Sequence, residues 1–93
     1  MKPLFIPLKT EWFRAFACGK KTEEFRPLGP RWNPEQCTIG RAVTLSKGYG
    51  QWERLAGIIV GFRVEHDTTR IKGWRECYGD RPGPVACIKI KLP

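Results

Sequence analysis

The feature that most constrains the fold is the run from Arg54 to Glu65, which is rich in β-branched and aromatic residues but interrupted by two glycines. This composition predicts the longest strand of the chain. Gly57 and Gly61 predict bends or bulges within it, because glycine weakens a straight strand and is common where a sheet turns a corner. A long bent strand favours a sheet that curls into a small barrel.

Four shorter segments also have the composition of strands, and turn residues separate them. Pro3 and Pro7 predict that the first strand is an edge strand or a short one, because proline donates no hydrogen bond to a neighbouring strand. Lys89 and Lys91 alternate with apolar residues in the last strand, which indicates one buried and one exposed face. These four segments are residues 3–8, 22–26, 41–46 and 85–92.

One helix is predicted directly after the first strand, with Thr10 as its N-cap and Gly19 just past its end. Its aromatic side chains, Trp12, Phe13 and Phe16, are spaced for packing into a core. Residues 33–36 could form one helical turn, and a second short helix is predicted within residues 69–79, ended by Gly79. The prediction is an α+β, mainly β fold: a small β-barrel of about five strands with one or two short helices, forming a single domain over residues 1–93.

The chain is strongly basic, with 17 Lys and Arg against 9 Asp and Glu and a formal charge of +8. Such a charge attracts polyanions, so nucleic acid, an anionic membrane surface and an acidic protein are all candidate partners, and solubility alone is the simpler explanation. No apolar run approaches the roughly 18–20 residues of a membrane span. Residues 1–7 lack the features of a signal peptide, so we expect a cytoplasmic protein that does not bind membranes.

The four cysteines are far apart in the sequence, at Cys18, Cys37, Cys77 and Cys87. None belongs to a C-x-x-C pair, and His66 is the only histidine. Zinc sites usually contain closely spaced ligand pairs, so neither a metal nor another cofactor is predicted. We expect reduced thiols, most of them packed in the interior.

A dense cluster of charges follows the predicted helix, within Gly19-Lys20-Lys21-Thr22-Glu23-Glu24-Phe25-Arg26. On a strand that begins at Thr22, Glu24 and Arg26 share a face beside Lys21, and Phe25 points to the opposite face and toward a core. The cluster could serve as a binding site for an anion. It could equally be a solvated group of charges that neutralise one another.

The pattern Gly19-x-Lys21-x-x-Glu24-x-Arg26 resembles the G-x-K-x-x-E-x-R signature of the ASCH domain family, which has a PUA-like β-barrel fold. Residues 26–33 and 45–50 look like small ASCH proteins of phages and prophages. The resemblance implies an RNA-related function, with RNA, or a nucleoside or nucleotide, held in a cleft near the helix end. In that cleft Lys21 and Arg26 would meet a phosphate or a base edge, and Glu24 would orient them or accept a hydrogen bond from a base amine.

The resemblance also implies two enzymatic alternatives. One branch of the family hydrolyses the amide of N4-acetylcytidine with a lysine, a threonine and a glutamate. Lys21 matches that lysine, Glu24 stands where that branch has its threonine, and Thr22 lies two residues earlier. The glutamate of that branch could correspond to Glu65 or to Glu76.

The other branch is linked to ribonuclease activity, with a lysine and a tyrosine that Lys21 and Tyr49 could supply. A third alternative is an accessory protein of the phage type that binds an acidic host protein.

Cations and aromatic rings alternate in two predicted loops, one containing Arg31 and Trp32 and the other containing Lys47, Tyr49 and Trp52. Exposed rings in such loops stack on unpaired bases while the cations hold the backbone. Either tryptophan could instead fold back over the barrel. We therefore include Arg31, Trp32, Lys47 and Tyr49 among the candidate RNA-binding residues, together with Gly19, Lys20, Lys21, Glu24 and Arg26.

Overall fold

In the computed structural model, residues 1–93 form five strands and two α-helices, with one 3₁₀ turn at Thr68–Arg70. The strands are β1 (Leu4–Leu8), β2 (Glu23–Pro27), β3 (Ala42–Lys47), β4 (Arg54–Glu65) and β5 (Val85–Lys91), and the helices are α1 (Thr10–Ala17) and α2 (Trp74–Tyr78). The predicted α+β, mainly β class is therefore confirmed, with the predicted numbers of strands and helices.

All five strands belong to one mixed sheet, in the order β1-β3-β4-β5-β2, and the sheet curls into a half-barrel. β1 runs parallel to β3, and the other three pairs are antiparallel. β1 and β2 are the two edges of the sheet, so the edge position predicted from Pro3 and Pro7 is confirmed.

The long strand β4 is irregular in the region where its glycines predict a bend or a bulge. Its pairing with β5 shifts register between Ile59 and Gly61, which marks a bulge at Val60. At Gly57 a β-carbon would lie 2.9 Å from Cγ2 of Ile90 and 3.1 Å from the carbonyl oxygen of Lys91, so side chains and backbone of β5 fill the space that a larger residue would need. The bulge increases the local twist and helps the sheet to curl.

Two apolar clusters cover opposite faces of β5. The larger one packs the α1 side chains Phe13 and Phe16 against sheet residues that include Ile88. The smaller one joins Trp74 of α2 to Cys87 and its neighbours. Because successive residues of a strand point to opposite faces, Cys87 and Ile88 belong to different clusters. The exposed face predicted for this strand is therefore limited to Lys89 and Lys91, and the rest of β5 is buried on both sides.

One local prediction needs correction. Thr10 is the first residue of α1 rather than its cap, because the capping position falls on Lys9, which forms no side-chain cap. The short helix predicted within residues 69–79 is confirmed as α2, and Gly73, with a φ of 84°, separates it from the preceding 3₁₀ turn. Gly19 and Gly79 also have positive φ and follow helix ends, as predicted.

The cysteines form no disulfide. Cys37 and Cys87 are buried and Cys18 and Cys77 are exposed, so half of the thiols are packed in the interior rather than most of them. Neither α-helix is long and apolar enough to cross a membrane.

Candidate functional site

A cleft of about 210 Å³ lies beside the two edge strands of the half-barrel. One side is built by the end of β1 and the start of α1, and the other by the segment from Ile71 to Tyr78. Lys21 and the β2 residues Glu24, Phe25 and Arg26 line the cleft between these two sides. The charge cluster predicted from the sequence therefore lies in a concave part of the surface, where ligands usually bind.

Glu24 is the central charge of the cleft and is almost buried, with 7% of its surface exposed. Its Oε2 accepts a hydrogen bond of 2.8 Å from Nε of Arg26, and Nη2 of Arg26 lies at the same distance. Its Oε1 lies 3.6 Å from Nζ of Lys21. The carboxylate is thus held between two cations, which compensates for its removal from water.

The ammonium group of Lys21 is surrounded by aromatic rings. Its Nζ lies 4.5 Å from the ring centre of Phe25, 5.2 Å from that of Trp12 and 5.6 Å from that of Phe16. Burial among these groups lowers the pKa of Lys21 below its usual value, and the nearby Glu24 carboxylate opposes this effect without cancelling it. The ring faces attract the charged form of the amine.

Arg26 connects the cleft to its surroundings. Besides binding Glu24, it donates a hydrogen bond through Nη2 to the main-chain carbonyl of Pro7. Its guanidinium lies 4.8 Å from the ring centre of Trp32, and that of Arg31 lies 5.3 Å from the same ring. Trp32 is therefore a half-buried ring that packs against the core and contacts both arginines, outside the cleft itself.

The chain reaches this arrangement through the turn that ends α1. Gly19 has a φ of 81° and reverses the chain direction. The amide of Lys21 then donates a hydrogen bond of 3.1 Å to the carbonyl of Ala15, and the carbonyl of Thr22 accepts one of 2.8 Å from Ile90. These bonds fix Lys21 between α1 and the start of β2. Gly19 and Lys20 help to form the turn but do not line the cleft.

The two faces of β2 have the alternation that the sequence predicts. Glu24 is paired with Ile88 of the larger cluster, and Phe25 with Cys87 of the smaller one. Phe25 is only half-buried and packs against the smaller cluster. Both residues nevertheless line the cleft, because β2 is an edge strand and the cleft opens beside it.

Several candidate residues lie elsewhere. Thr22 is exposed and does not line the cleft. The two glutamates considered for amide hydrolysis do not line it either: Glu65 forms an ion pair with Arg63, and Glu76 is exposed on α2. The threonine and glutamate considered for amide hydrolysis are therefore not brought together with Lys21 in this cleft.

The remaining candidates lie at the end of β3 and in the loop between β3 and β4. Lys47 forms an ion pair with Glu53. Tyr49 is 83% exposed, as expected between two glycines, and Trp52 is 95% exposed, so neither of these two rings folds back over the barrel.

The far side of the cleft consists of residues that the sequence analysis did not assign to the site. Trp74 and Tyr78 have ring centres 4.4 Å apart, and burial raises the pKa of the Tyr78 hydroxyl. Trp12, predicted as core, is half-buried and faces the cleft. It packs so closely on Gly73 that a β-carbon there would lie 2.8 Å from Cζ2 of the indole. The sequence feature that could have indicated these residues is the mixture of cations and aromatic rings in residues 70–78. Only the tertiary structure places that segment beside β2.

The charges of the cleft favour an anion. Four cations line it, Lys9, Lys21, Arg26 and Lys72, against the single carboxylate of Glu24, which leaves three positive charges in excess. Aromatic walls beside such a charge suit a flat ring that carries a phosphate, and the carboxylate suits a hydrogen-bond donor on that ring. No group of three or more His, Cys, Asp or Glu side chains lies close enough together to hold a metal ion.

No protein-family model matches the sequence, and no curated protein is significantly similar to it.

Proposed function

We propose that this protein binds RNA and holds one nucleotide of it in the cleft around Lys21, Glu24 and Arg26. The observation that supports this most directly is the nearly buried Glu24 carboxylate between two cations, in a cleft with an excess of positive charge and aromatic walls. A nucleotide combines a phosphate, a flat ring and amine donors, and each of these has a complementary group in the cleft.

The three central residues have different roles in this proposal. Lys21 meets the phosphate, because its contact with Glu24 at 3.6 Å is loose and leaves ammonium donors available. Glu24 accepts a hydrogen bond from a base amine. Arg26 already binds Glu24 and Pro7, so its main role is to hold the carboxylate in place. Lys9 and Lys72 at the rim attract the neighbouring phosphates.

The signature from Gly19 to Arg26 supports the same function through its resemblance to the ASCH domain family. We propose that the chain is a cytoplasmic ASCH-like protein, related to the small examples in phages. A curled, mainly β fold with a helix directly before the signature supports this proposal.

Binding of a fluorescent single-stranded RNA over a salt series tests the proposal. We expect Lys21→Ala to weaken binding about tenfold or more, because one phosphate contact and its charge are lost. Lys20→Ala is the matched control: it removes the same charge from an exposed side chain outside the cleft, so it should weaken binding only slightly. Equal effects of the two variants, or no binding by the unaltered protein at 50 mM salt, would contradict the proposal.

Hydrolysis of a modified nucleobase or of RNA is a second candidate function. The observation that favours it is the partly buried amine of Lys21, 3.6 Å from a carboxylate and with a lowered pKa, since lowering its pKa makes an amine more readily available as a general base or a nucleophile. Incubation with N4-acylated cytidines and with labelled RNA tests it. Turnover that is lost in Lys21→Ala would support catalysis, and product formation no faster than in a protein-free blank would exclude it for these substrates.

A further inference from the structure

The loop between β3 and β4, residues 48–53, carries two large aromatic side chains that are almost entirely in water. Trp52 is 95% exposed and Tyr49 is 83% exposed. Isolated exposed apolar side chains are common on protein surfaces, but a nearly fully exposed tryptophan close to an exposed tyrosine is typical of a binding surface. Neither ring belongs to either apolar cluster of the interior.

The loop has a defined shape and lies next to the cleft. The amide of Gly48 donates a hydrogen bond of 2.8 Å to the carbonyl of Leu8, which lines the cleft. The hydroxyl of Ser46 donates one of 3.2 Å to the carbonyl of Gly50, and the Tyr49 ring centre lies 6.3 Å from that of Phe5 on β1. The rings are therefore presented from a loop that is fixed to the strand forming one side of the cleft.

The charges around the loop favour an anionic partner. The only carboxylate in the loop is Glu53, and Lys47 neutralises it in an ion pair. Arg54 follows directly, is exposed, and places its guanidinium 5.4 Å from the ring centre of Phe5. Lys9, at the adjoining rim of the cleft, is exposed as well. Exposed rings among cations suit a polyanion that carries flat apolar groups.

We propose that Tyr49 and Trp52 form a stacking platform for unpaired bases, and that the ligand of this protein is single-stranded RNA that extends from the cleft across the β3–β4 loop. This inference rests on the proposed function of the cleft, which it deepens by naming the form of the RNA. In a duplex the base faces are already stacked on one another, so the two rings have nothing to stack on. In a single strand each base has a free face, and stacking on an aromatic side chain stabilises the complex.

Three nucleotide ligands and four variants of the full chain test the platform, and a polyglutamate peptide serves as the acidic comparison. The nucleotide ligands are an unstructured twelve-nucleotide RNA, a blunt RNA duplex containing that strand, and uridine 5′-monophosphate. Trp52→Leu and Tyr49→Leu each replace an aromatic ring with an apolar side chain, Trp52→Tyr keeps a ring, and Ile39→Ala alters an exposed apolar side chain outside the loop. Because all three positions are exposed, the variants should fold.

We expect Trp52→Leu to weaken binding of the single strand by about 5- to 150-fold, because the stacking of one base is lost. Trp52→Tyr should retain most of the affinity and Ile39→Ala all of it. The mononucleotide occupies only the cleft in this proposal, so its affinity should be unchanged in Trp52→Leu.

Unchanged single-strand binding in both Trp52→Leu and Tyr49→Leu would overturn the platform, and so would an equal loss for the duplex. Tighter binding of a polyglutamate peptide than of the RNA would overturn it in favour of an acidic protein partner. The failure of the cleft proposal is distinguishable, because in that case Lys21→Ala would leave binding of the mononucleotide and the single strand unchanged while Trp52→Leu still weakened binding of the single strand.

Discussion

The guanidinium of Arg26 donates a hydrogen bond to the carbonyl of Pro7 and thereby joins the two edge strands of the half-barrel, β2 and β1, across its open side. The same guanidinium holds the Glu24 carboxylate at 2.8 Å. One side chain therefore closes the fold and positions the central charge of the cleft. Loss of binding in an Arg26 variant must be interpreted together with its stability.

Arg26→Ala should lower the free energy of unfolding by about 2–3 kcal/mol, because it removes hydrogen bonds of a charged donor and leaves a nearly buried carboxylate with Lys21 alone. Arg26→Lys should recover only part of this, since an ammonium cannot reproduce the planar donor geometry. Urea denaturation measures both. Because the two residues interact directly, the double variant Arg26→Ala with Glu24→Gln should lose less stability than the sum of the single variants. Strict additivity would show that the contact contributes nothing.

The side chain of Lys21 should titrate below its ordinary value of 10.5, because burial disfavours the ammonium. Phosphate binding by the ammonium should then weaken as the pH rises through this lowered pKa. The unfolded chain keeps its proton up to higher pH, so between the folded pKa and 10.5 the stability of the protein relative to Lys21→Met should increase with pH. The ¹³Cε resonance of Lys21 measures the titration directly, and a midpoint at or above 10.5 would refute the assignment.

Glu24→Gln provides a control for the titration of Lys21. The carboxylate raises the pKa of the amine, so its neutralisation should lower that pKa further. In the same variant, the affinity for a nucleotide should depend less on whether its base carries an amine group. The reason is that an amide is a neutral acceptor and can also donate a hydrogen bond. A higher Lys21 pKa in Glu24→Gln would contradict the arrangement of the cleft.

Gly57→Ala should destabilise the fold by about 1–3 kcal/mol, because the new methyl group would lie 2.9 Å from Ile90 and 3.1 Å from the carbonyl of Lys91. Gly50→Ala is the matched control, since its φ is not positive and a β-carbon there meets nothing within 4 Å. Thermal unfolding of the two variants gives the comparison. Similar melting temperatures would show that the atoms of β5 around Gly57 can shift to admit a methyl group without cost.

Thiol labelling provides a footprint of the cleft. Cys77 lines the cleft and is exposed, whereas Cys18 is exposed outside it. Burial shields Cys37 and Cys87 and raises the pKa of both thiols. A maleimide should therefore label Cys18 and Cys77 in the native protein, and single-stranded RNA should slow labelling of Cys77 while leaving Cys18 unaffected. Equal protection of the two would indicate that the RNA covers a different surface.

Much of the fold can be predicted because it depends on local signals. Proline at the first strand predicts an edge, and the glycines of β4 predict its bulge. Residues from Gly19 to Arg26 are close in sequence, so their assembly at a helix end also follows from local structure. Prediction was less successful at Thr10, because the exact position of a helix end depends on packing as well as on the local sequence.

The sequence by itself determined a basic, mainly β domain and the group of charges from Lys21 to Arg26 that lines its cleft. The signals for these features are the alternation of apolar and polar residues, the turn residues and the charge spacing, and each of them acts over a few residues. Only the tertiary structure decided that Trp74 and Tyr78 form the far side, that Arg26 reaches Pro7, and that Trp32 is half-buried while Trp52 lies in water. Those contacts join residues that are distant in the chain. Their formation depends on how the whole sheet curls and on which apolar surfaces are left for the loops to cover.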